Sequence, residues 1–151
     1  MTAIQILIAL LKLFEGCKLT AYQDGSGIWT IGYGETLGVT EGMVWTQDQA
    51  DQRLATRAAT FLQGVIEKCP KLATEPPSRQ AACASLSYEI GINGFAGSTV
   101  CRDTQAALYD SAADAFLLWD KETINGVLTV SPGILHRRRV ESGVYADGYN
   151  V

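Results

Sequence analysis

The stretch EGCKLTAYQDGSGIWTIGYG, residues 15–34, decides the fold of this chain. It follows a segment at 3–14 whose apolar residues recur at helical spacing, namely Ile4, Leu7, Ile8, Leu11 and Phe14. Gly16 suits the position just past the last turn of that helix, where a left-handed backbone is needed. Asp24-Gly25-Ser26-Gly27 has the composition of a turn between two short strands. The stretch therefore predicts a helix that is followed directly by a small β-hairpin.

Glu15 is the first of two carboxylates in this stretch, and it falls at the C-terminal end of the predicted helix. The helix dipole disfavours a carboxylate at that end by roughly 0.3–1 kcal/mol. Leu11, Phe14 and Leu19 are apolar neighbours, so desolvation also disfavours the charged form. Both effects favour a protonated carboxyl, which a general acid needs near neutral pH. A solvated helix end is the structural alternative for Glu15.

Asp24 and Thr30 add a second carboxylate and a hydroxyl on the hairpin. Each has an ordinary structural interpretation, because Asp is common in turns and Thr is common in strands. Together with Glu15, however, they can converge on one cleft. A glycosidase needs one protonated and one ionised carboxyl on either side of a glycosidic bond. The combination therefore indicates glycoside hydrolysis.

The same residues carry a resemblance to a known family, the phage-type lysozymes (endolysins, glycoside hydrolase family 24). The matching pattern is Glu15-Gly16-x-x-Leu19-x-Ala21-Tyr22-x-Asp24-x-x-Gly27-x-Trp29-Thr30-Ile31-Gly32-Tyr33-Gly34. The resemblance implies an α+β, lysozyme-like fold that is mostly helical, with a small β-hairpin lobe and a cleft between the lobes. We expect one domain over 1–151, with a β lobe at about 17–45 and a helical lobe at about 46–151 that includes helix 1–14.

The resemblance also implies the reaction. The expected enzyme is a muramidase that hydrolyses the β-1,4 bond between N-acetylmuramic acid and N-acetylglucosamine in bacterial peptidoglycan, with inversion and without a cofactor. By the same resemblance, Glu15 is the general acid, and Asp24 and Thr30 position or activate the attacking water. A lytic transglycosylase, or a non-catalytic wall-binding phage protein, is the alternative.

Later segments resemble the family more loosely, and they suggest further site residues. By position, Tyr88, Ser98 and Asn125 fall where the family lines its sugar cleft; a core aromatic, a helix cap and a turn residue are their structural alternatives. Glu35 and Glu89 depart from the family, which often has histidine and asparagine there. These two departures put the local contacts around the cleft in doubt.

Local signals predict the remaining elements. Thr46 and Gln49 form a capping box that opens a helix at about 47–68, which Pro70 ends. We expect further helices after caps at Ser78, Ser98 and Ser111, a loop at 92–97, a tight turn at Asn125-Gly126 and a last helix at about 134–145. Of the basic run at 136–139, we expect one side chain, Arg137, to turn inward and pair with a carboxylate; a patch that contacts the wall is the alternative.

Composition excludes several classes of function. The net charge is −4, with 12 basic and 16 acidic residues, which argues against nucleic acid as a partner. The apolar run at 3–11 is about half of the roughly 20 residues that a membrane span requires. We therefore expect no membrane span. The resemblance implies a protein that is made in the host cytoplasm and acts on the wall in the periplasm after release, and we expect it to be a monomer. A signal-anchor route is the alternative.

The four cysteines and the single histidine predict no metal site, because they lack the spacing of zinc ligands. Buried free thiols are the default for a chain made in the cytoplasm. If a bridge forms after release, Cys69 and Cys83 are the favoured pair, because they flank a helix-to-helix connection. The sequence leaves all three full pairings open.

Overall fold

The computed structural model describes residues 1–150, which form a mostly helical chain with two small antiparallel sheets. The helices are α1 (Ala3–Glu15), α2 (Gln47–Lys68), α3 (Pro77–Ile90), α4 (Ile92–Ala96), α5 (Thr99–Gln105), α6 (Tyr109–Ala115) and α7 (Pro132–Asp147). The strands are β1 (Lys18–Gln23), β2 (Trp29–Gly32), β3 (Lys121–Ile124) and β4 (Val127–Val130), and 3-10 turns lie at Pro70–Thr74 and Phe116–Leu118. The predicted α+β architecture, a helix followed by a small hairpin and then a helical lobe, is confirmed.

Two helices begin at capping boxes that are visible in the sequence. At α2, the Thr46 hydroxyl accepts from the Gln49 amide at 3.2 Å, and the Gln49 side chain accepts from the Thr46 amide at 2.8 Å. Thr2 and Gln5 make the same pair of bonds at the start of α1. These bonds satisfy backbone donors that would otherwise lack partners in the first turn. The predicted bounds of α2 are confirmed.

Helix α3 is the centre of the helical lobe, because it packs against α1, α2 and α7. Its segment 81–87 is buried throughout and consists of small side chains apart from Leu86. Small side chains let the neighbouring helices approach on every side. The backbone and hydroxyl groups of this segment therefore lie where α1 and α7 meet.

The β lobe is a hairpin that follows α1 after two residues. Strand β1 pairs with β2 in antiparallel register, with Tyr22 opposite Thr30 and Gln23 opposite Trp29. Residues 24–27 form the predicted turn, in which the Asp24 amide donates to the Ile28 carbonyl at 2.9 Å. The hairpin thus fixes Asp24 and Thr30 on a short rigid element next to the end of α1.

Several predictions for the second half of the chain are wrong in detail. Helix α3 begins at Pro77 rather than after Ser78, because a proline is tolerated at the first helical position, where no amide donor is needed. Residues 92–96, which we expected to be a loop, form the short helix α4, whose Phe95 is fully buried. Burial of this ring outweighs the poor helix propensity of Asn93 and Gly94.

Ser111 and the residues around Asn125 also differ from expectation. Ser111 lies inside α6 and does not cap it; its hydroxyl donates to Oδ2 of Asp103 at 2.6 Å instead. Asn125-Gly126 forms the predicted tight turn, with φ of 50° and 79°. That turn joins strands β3 and β4, which were not predicted.

The cysteines form no bridge between Cys69 and Cys83. Three of them are buried free thiols, as the default predicted, and Cys17 is exposed. Cys69 faces Cys101 instead, and its thiol donates to the Cys101 carbonyl at 3.7 Å. Burial raises the pKa of Cys69 to about 11 and that of Cys83 well above its usual value. Within residues 1–150, no helix combines the length and the apolar character that crossing a bilayer requires.

Candidate active site

Glu15 is the last residue of α1, and its side chain is 22% exposed. Arg137 donates from Nη1 to Oε1 of Glu15 at 2.7 Å. The other oxygen, Oε2, lies against Gly34, where an added Cβ would be only 3.0 Å away. The apolar surroundings that we expected for Glu15 are therefore incomplete, because the carboxylate contacts a buried cation.

Arg137 connects the acid to the rest of the protein. It is 6% exposed, and it lies over the ring of Phe14 at 4.8 Å. Its Nη1 also donates to Oε2 of Glu89 at 3.2 Å, and its Nε donates to Oε2 of Glu141 at 3.3 Å. Burial by itself would lower the pKa of Arg137, but the three carboxylates outweigh burial and raise it. The predicted inward turn of Arg137 is confirmed, and its pairing with Glu141 is buried.

Arg138 is also buried, although we expected it to be solvated. It donates from Nη1 to Oε1 of Glu141 at 2.5 Å, from Nη2 to Oε1 of Glu89 and from Nε to the Trp119 carbonyl at 2.9 Å. Glu141 is fully buried and also accepts from the Ser85 hydroxyl. Burial raises the pKa of Glu141, and the two arginines oppose that shift. Because Arg137 and Arg138 are buried, the basic run cannot act as a wall-contact patch as a whole.

Asp24 and Thr30 are held by short local bonds on the hairpin. Both hydrogen bonds to Asp24 fall on Oδ1, which accepts from the Ser26 amide at 2.8 Å and the Ile28 amide at 2.9 Å. The Thr30 hydroxyl donates to the Ile28 carbonyl at 2.9 Å, so its lone pairs point away from that bond. Oδ1 of Asp24 therefore carries both of these bonds, and Thr30 is buried at 4% exposure.

A cavity of about 320 Å³ lies beside Glu15, within the range that small-ligand sites occupy. Its walls are Phe14, Glu15, Glu89, Ser131, Gly133, Ile134 and Arg137. A second cavity of about 460 Å³ adjoins it and shares Glu89 and Ile134. Asp24 and Thr30 do not line either cavity. The structure therefore brings Glu15 together with Glu89 and Arg137 on the α7 side, while the other two predicted catalytic residues lie on the hairpin.

The three predicted sugar-binding residues lie in different places, and none of them lines the cavity at Glu15. The Tyr88 hydroxyl donates to the Tyr33 carbonyl at 2.8 Å, which joins α3 to the β lobe, and burial raises its pKa to about 12. The Ser98 hydroxyl is buried and caps α5 through the Cys101 amide at 3.1 Å. Asn125 is exposed at the tip of the β3–β4 hairpin.

Glu35 is a buried carboxylate whose position sequence reasoning noted without assigning it a role. Its Oε1 accepts from the Thr36 and Leu37 amides at 3.0 and 2.9 Å. Its Oε2 lies 3.5 Å from Nε of Arg57 and 3.8 Å from Nε of Arg53, and it has no hydrogen-bond partner in the part of the chain that the structure describes. Both arginines are on α2, so Glu35 joins the β lobe to that helix.

Sequence reasoning missed Glu89 as part of the site, and the signal for it was weak. Only its departure from the expected asparagine singled it out.

Across residues 1–150, no three side chains of the types that bind metals form a cluster. The site consists of carboxylates, arginines, hydroxyls and backbone groups.

Comparisons with known proteins find a matching family model, related endolysins and a similar solved structure. The family model described as phage lysozyme matches residues 12–141. The chain is 34% identical to the endolysin of Acyrthosiphon pisum secondary endosymbiont phage 1, over 91% of this chain and 93% of that protein. It is 31% identical to the SAR-endolysin of Pseudomonas phage phiKMV, over 92% and 85% of the two chains. Among solved structures, the endolysin from Escherichia coli O157:H7 phage FAHEc1 superposes with a TM-score of 0.88 at 32% identity, over 99% and 96% of the two chains.

Proposed function

The chain belongs to the phage lysozyme family and is a muramidase-type endolysin that acts on peptidoglycan, and from this premise we propose that Glu15 is its general acid. The observation that carries the proposal is the placement of Glu15. Its carboxyl ends a rigid helix in the wall of a cavity, with Oε1 fixed by Arg137 and Oε2 facing the space that Gly34 leaves. A general acid must present its proton to the leaving oxygen in one defined orientation.

The proposed reaction is inverting hydrolysis, as in glycoside hydrolase family 24. Asp24 accepts a proton from the attacking water through Oδ2, while Thr30 accepts a second hydrogen bond from the same water. Hydrogen bonds within the hairpin support these two roles, because they hold Oδ1 of Asp24 and use the Thr30 hydroxyl as a donor. Inversion requires the two carboxyls to lie about 6.5–9.5 Å apart, so that a water molecule fits between them and the sugar.

The proposed substrate is the N-acetylmuramic acid to N-acetylglucosamine bond, which lies in the cleft between the β lobe and the helical lobe of one domain. Tyr88, Ser98 and Asn125 remain proposals for sugar binding. Asn125 has the most accessible side chain of the three, whereas the hydroxyls of Tyr88 and Ser98 already make hydrogen bonds within the protein.

We also propose that the protein is a monomer that is made in the host cytoplasm and reaches the wall after release. A signal-anchor route is the alternative that the name of the phiKMV relative suggests.

The variant Glu15→Gln tests the proposal. It removes the proton donor but keeps the shape of the side chain, and we expect the rate of wall lysis to fall about 10²- to 10⁴-fold. Turbidity loss of outer-membrane-permeabilised bacteria measures the rate, and circular dichroism checks the fold.

Glu41→Gln is the matched control, because Glu41 is exposed in the β lobe. It should lyse cells like the wild type. Full lysis by E15Q would contradict the role of Glu15. If the wild-type protein bound the wall without any lysis, the chain would instead be a non-catalytic binding protein.

A further inference from the structure

Two carboxylates share a single nitrogen of Arg137. Its Nη1 lies 2.7 Å from Oε1 of Glu15 and 3.2 Å from Oε2 of Glu89. Glu89 comes from α3 and Glu15 from α1, and both side chains line the same cavity. Nη1 carries two N–H groups and donates one to each carboxylate, so Glu15 and Glu89 both draw on the single positive charge of Arg137.

Glu89 is held in this position by a second arginine. Its Oε1 accepts from Nη2 of Arg138, so the carboxylate bridges the two guanidinium groups. Arg138 is itself fixed by Glu141 and by the Trp119 carbonyl. The Glu89 side chain is 33% exposed, and water screens part of its charge. Glu89 is therefore oriented by the protein and remains open to the cavity.

The charges in this cluster do not balance. It contains two guanidinium cations, Arg137 and Arg138, and three carboxylates, Glu15, Glu89 and Glu141, so one negative charge is in excess when all are ionised. Glu141 is fully buried and is bonded by both arginines. Glu15 and Glu89 must share what remains of the positive charge. A proton on one of them relieves the excess.

We propose that Glu89 is a positioning residue for the acid: it draws on the charge of Arg137, so that Glu15 keeps its proton to a higher pH while Arg137 still fixes its orientation. The inference rests on the proposed role of Glu15 as general acid. It explains how an acid in contact with an arginine can still donate a proton, because the same arginine also neutralises a second carboxylate.

Other charged groups around Glu15 do not replace Glu89. On the same helix, Lys12 pairs with Asp51 at 3.5 Å. On α3, Tyr88 is neutral over the working range, because burial raises the pKa of its hydroxyl to about 12. On the hairpin, Asp24 is bonded by its own turn amides.

The β lobe also contributes Glu35, and α2 contributes the two arginines that oppose its charge. Glu35 lies 3.5 Å from Arg57 and 3.8 Å from Arg53, so its charge is opposed locally. On α7, Glu141 is fully buried and is bonded by both arginines. Glu89 is therefore the carboxylate whose removal changes the charge next to Glu15.

The test is the pH profile of kcat/KM for wall lysis in Glu89→Gln. The alkaline limb of this profile reports ionisation of the acid in the free enzyme. Removal of a nearby negative charge stabilises ionised Glu15, so the alkaline midpoint should move to lower pH by about 0.5 to 1 unit, or about 3- to 10-fold in the ionisation constant.

Two further variants separate charge from structure. Glu89→Asp keeps the charge and should stay closer to the wild-type midpoint than Glu89→Gln does. Glu122→Gln removes an exposed carboxylate beside the neighbouring cavity and should leave the midpoint unchanged. A normal midpoint in active E89Q would overturn the inference without affecting the role of Glu15. Absence of lysis by the wild type at every pH would overturn the proposed function instead.

A measurement on the wild type covers the case in which E89Q does not fold. Carbon-13 NMR of the side-chain carboxyls follows Glu15 and Glu89 directly, without substrate. Because the two groups are coupled, the Glu15 curve should show a second inflection at the midpoint of Glu89. A one-step Glu15 curve that ignores the ionisation of Glu89 would contradict the inference.

Discussion

Gly34 lies against the carboxylate that we assign as the acid. Its φ is +81°, a backbone conformation that residues with a side chain rarely adopt, and a Cβ there would lie 3.0 Å from Oε2 of Glu15. A glycine at position 34 therefore meets two requirements: the backbone has a positive φ, and the site needs open space beside the Glu15 carboxylate. Gly38 has a similar φ of +71° but nothing within 4 Å of its Cβ position. Substitutions at the two glycines therefore separate the effect of the positive φ from the effect of the space beside Glu15.

We predict that Gly34→Ala and Gly38→Ala lose similar stability, about 1–3 kcal/mol each, because both place a side chain in the left-handed region. Only G34A should displace the Glu15 carboxyl, and its lysis rate should fall at least about tenfold. Urea denaturation measures the first effect, and turbidity assays measure the second. Equal lysis rates in the two variants would show that the space at Gly34 does not matter to the acid.

Helix α2 and helix α6 show what the sequence could and could not predict. The ends of α2 were predicted to the residue, because a capping box and a proline act within one turn of the chain. The start of α6 was missed, because the Ser111 hydroxyl bonds to Asp103 of another helix. Local signals predict element ends well, and contacts between elements override them.

The same distinction holds for the site. Glu15, Asp24 and Thr30 lie within one continuous stretch, so sequence reasoning could propose them together. Arg137 contacts Glu15 across 122 positions of the chain, and Glu89 reaches the same arginine from α3. The sequence indicated that Arg137 turns inward, but only the structure shows which carboxylates it contacts.

Glu75 joins three elements of the helical lobe. It follows the 3-10 turn at 70–74 and accepts from Nη1 of Arg79 on α3 at 3.0 Å and from the Tyr109 hydroxyl on α6 at 2.5 Å. Burial by itself would raise the pKa of Glu75, but the bonds from Tyr109 and Arg79 outweigh burial and lower it. The unfolded chain therefore binds a proton at Glu75 more readily than the folded chain does.

We predict that Glu75→Gln lowers the free energy of unfolding by about 1–3 kcal/mol at pH 7. The stabilisation by ionised Glu75 is complete above its unfolded pKa, near 4.3, and is lost as the pH falls through the lower folded value. The difference between wild type and E75Q should thus shrink on acidification from pH 5 to pH 3. Urea denaturation of both proteins from pH 5 to pH 3 measures this difference in unfolding free energy. A difference that stays constant or grows would contradict the stabilising role of ionised Glu75.

The two lobes are joined by several polar contacts, and the whole molecule carries a net charge of −4. Glu35 contacts arginines of α2, and Tyr88 bonds to the Tyr33 carbonyl. Burial removes two arginines, Arg137 and Arg138, and three carboxylates, Glu35, Asp103 and Glu141. The remaining charged residues are still acidic on balance, and they face an anionic wall.

We predict that the lysis rate rises a few-fold as ionic strength increases from about 10 mM to about 100 mM, because salt screens the repulsion between enzyme and wall. Turbidity loss at fixed pH, in NaCl and KCl series of matched ionic strength, measures this effect. The folded state should be checked at each salt concentration. A rate that falls steadily over the same range would show that a basic surface guides the enzyme to the wall.

The most direct test of the central claim, that Glu15 is the acid of a hydrolysis, is product analysis of peptidoglycan digested in isotopically labelled water. Mass spectrometry should find labelled oxygen at the new N-acetylmuramic acid ends after digestion by the wild type and by E41Q, and almost none after digestion by E15Q. Labelled ends at the wild-type rate from E15Q would contradict the role of Glu15. Unlabelled anhydro-sugar ends from the wild type, one water lighter, would show that the enzyme is a lytic transglycosylase rather than a hydrolase.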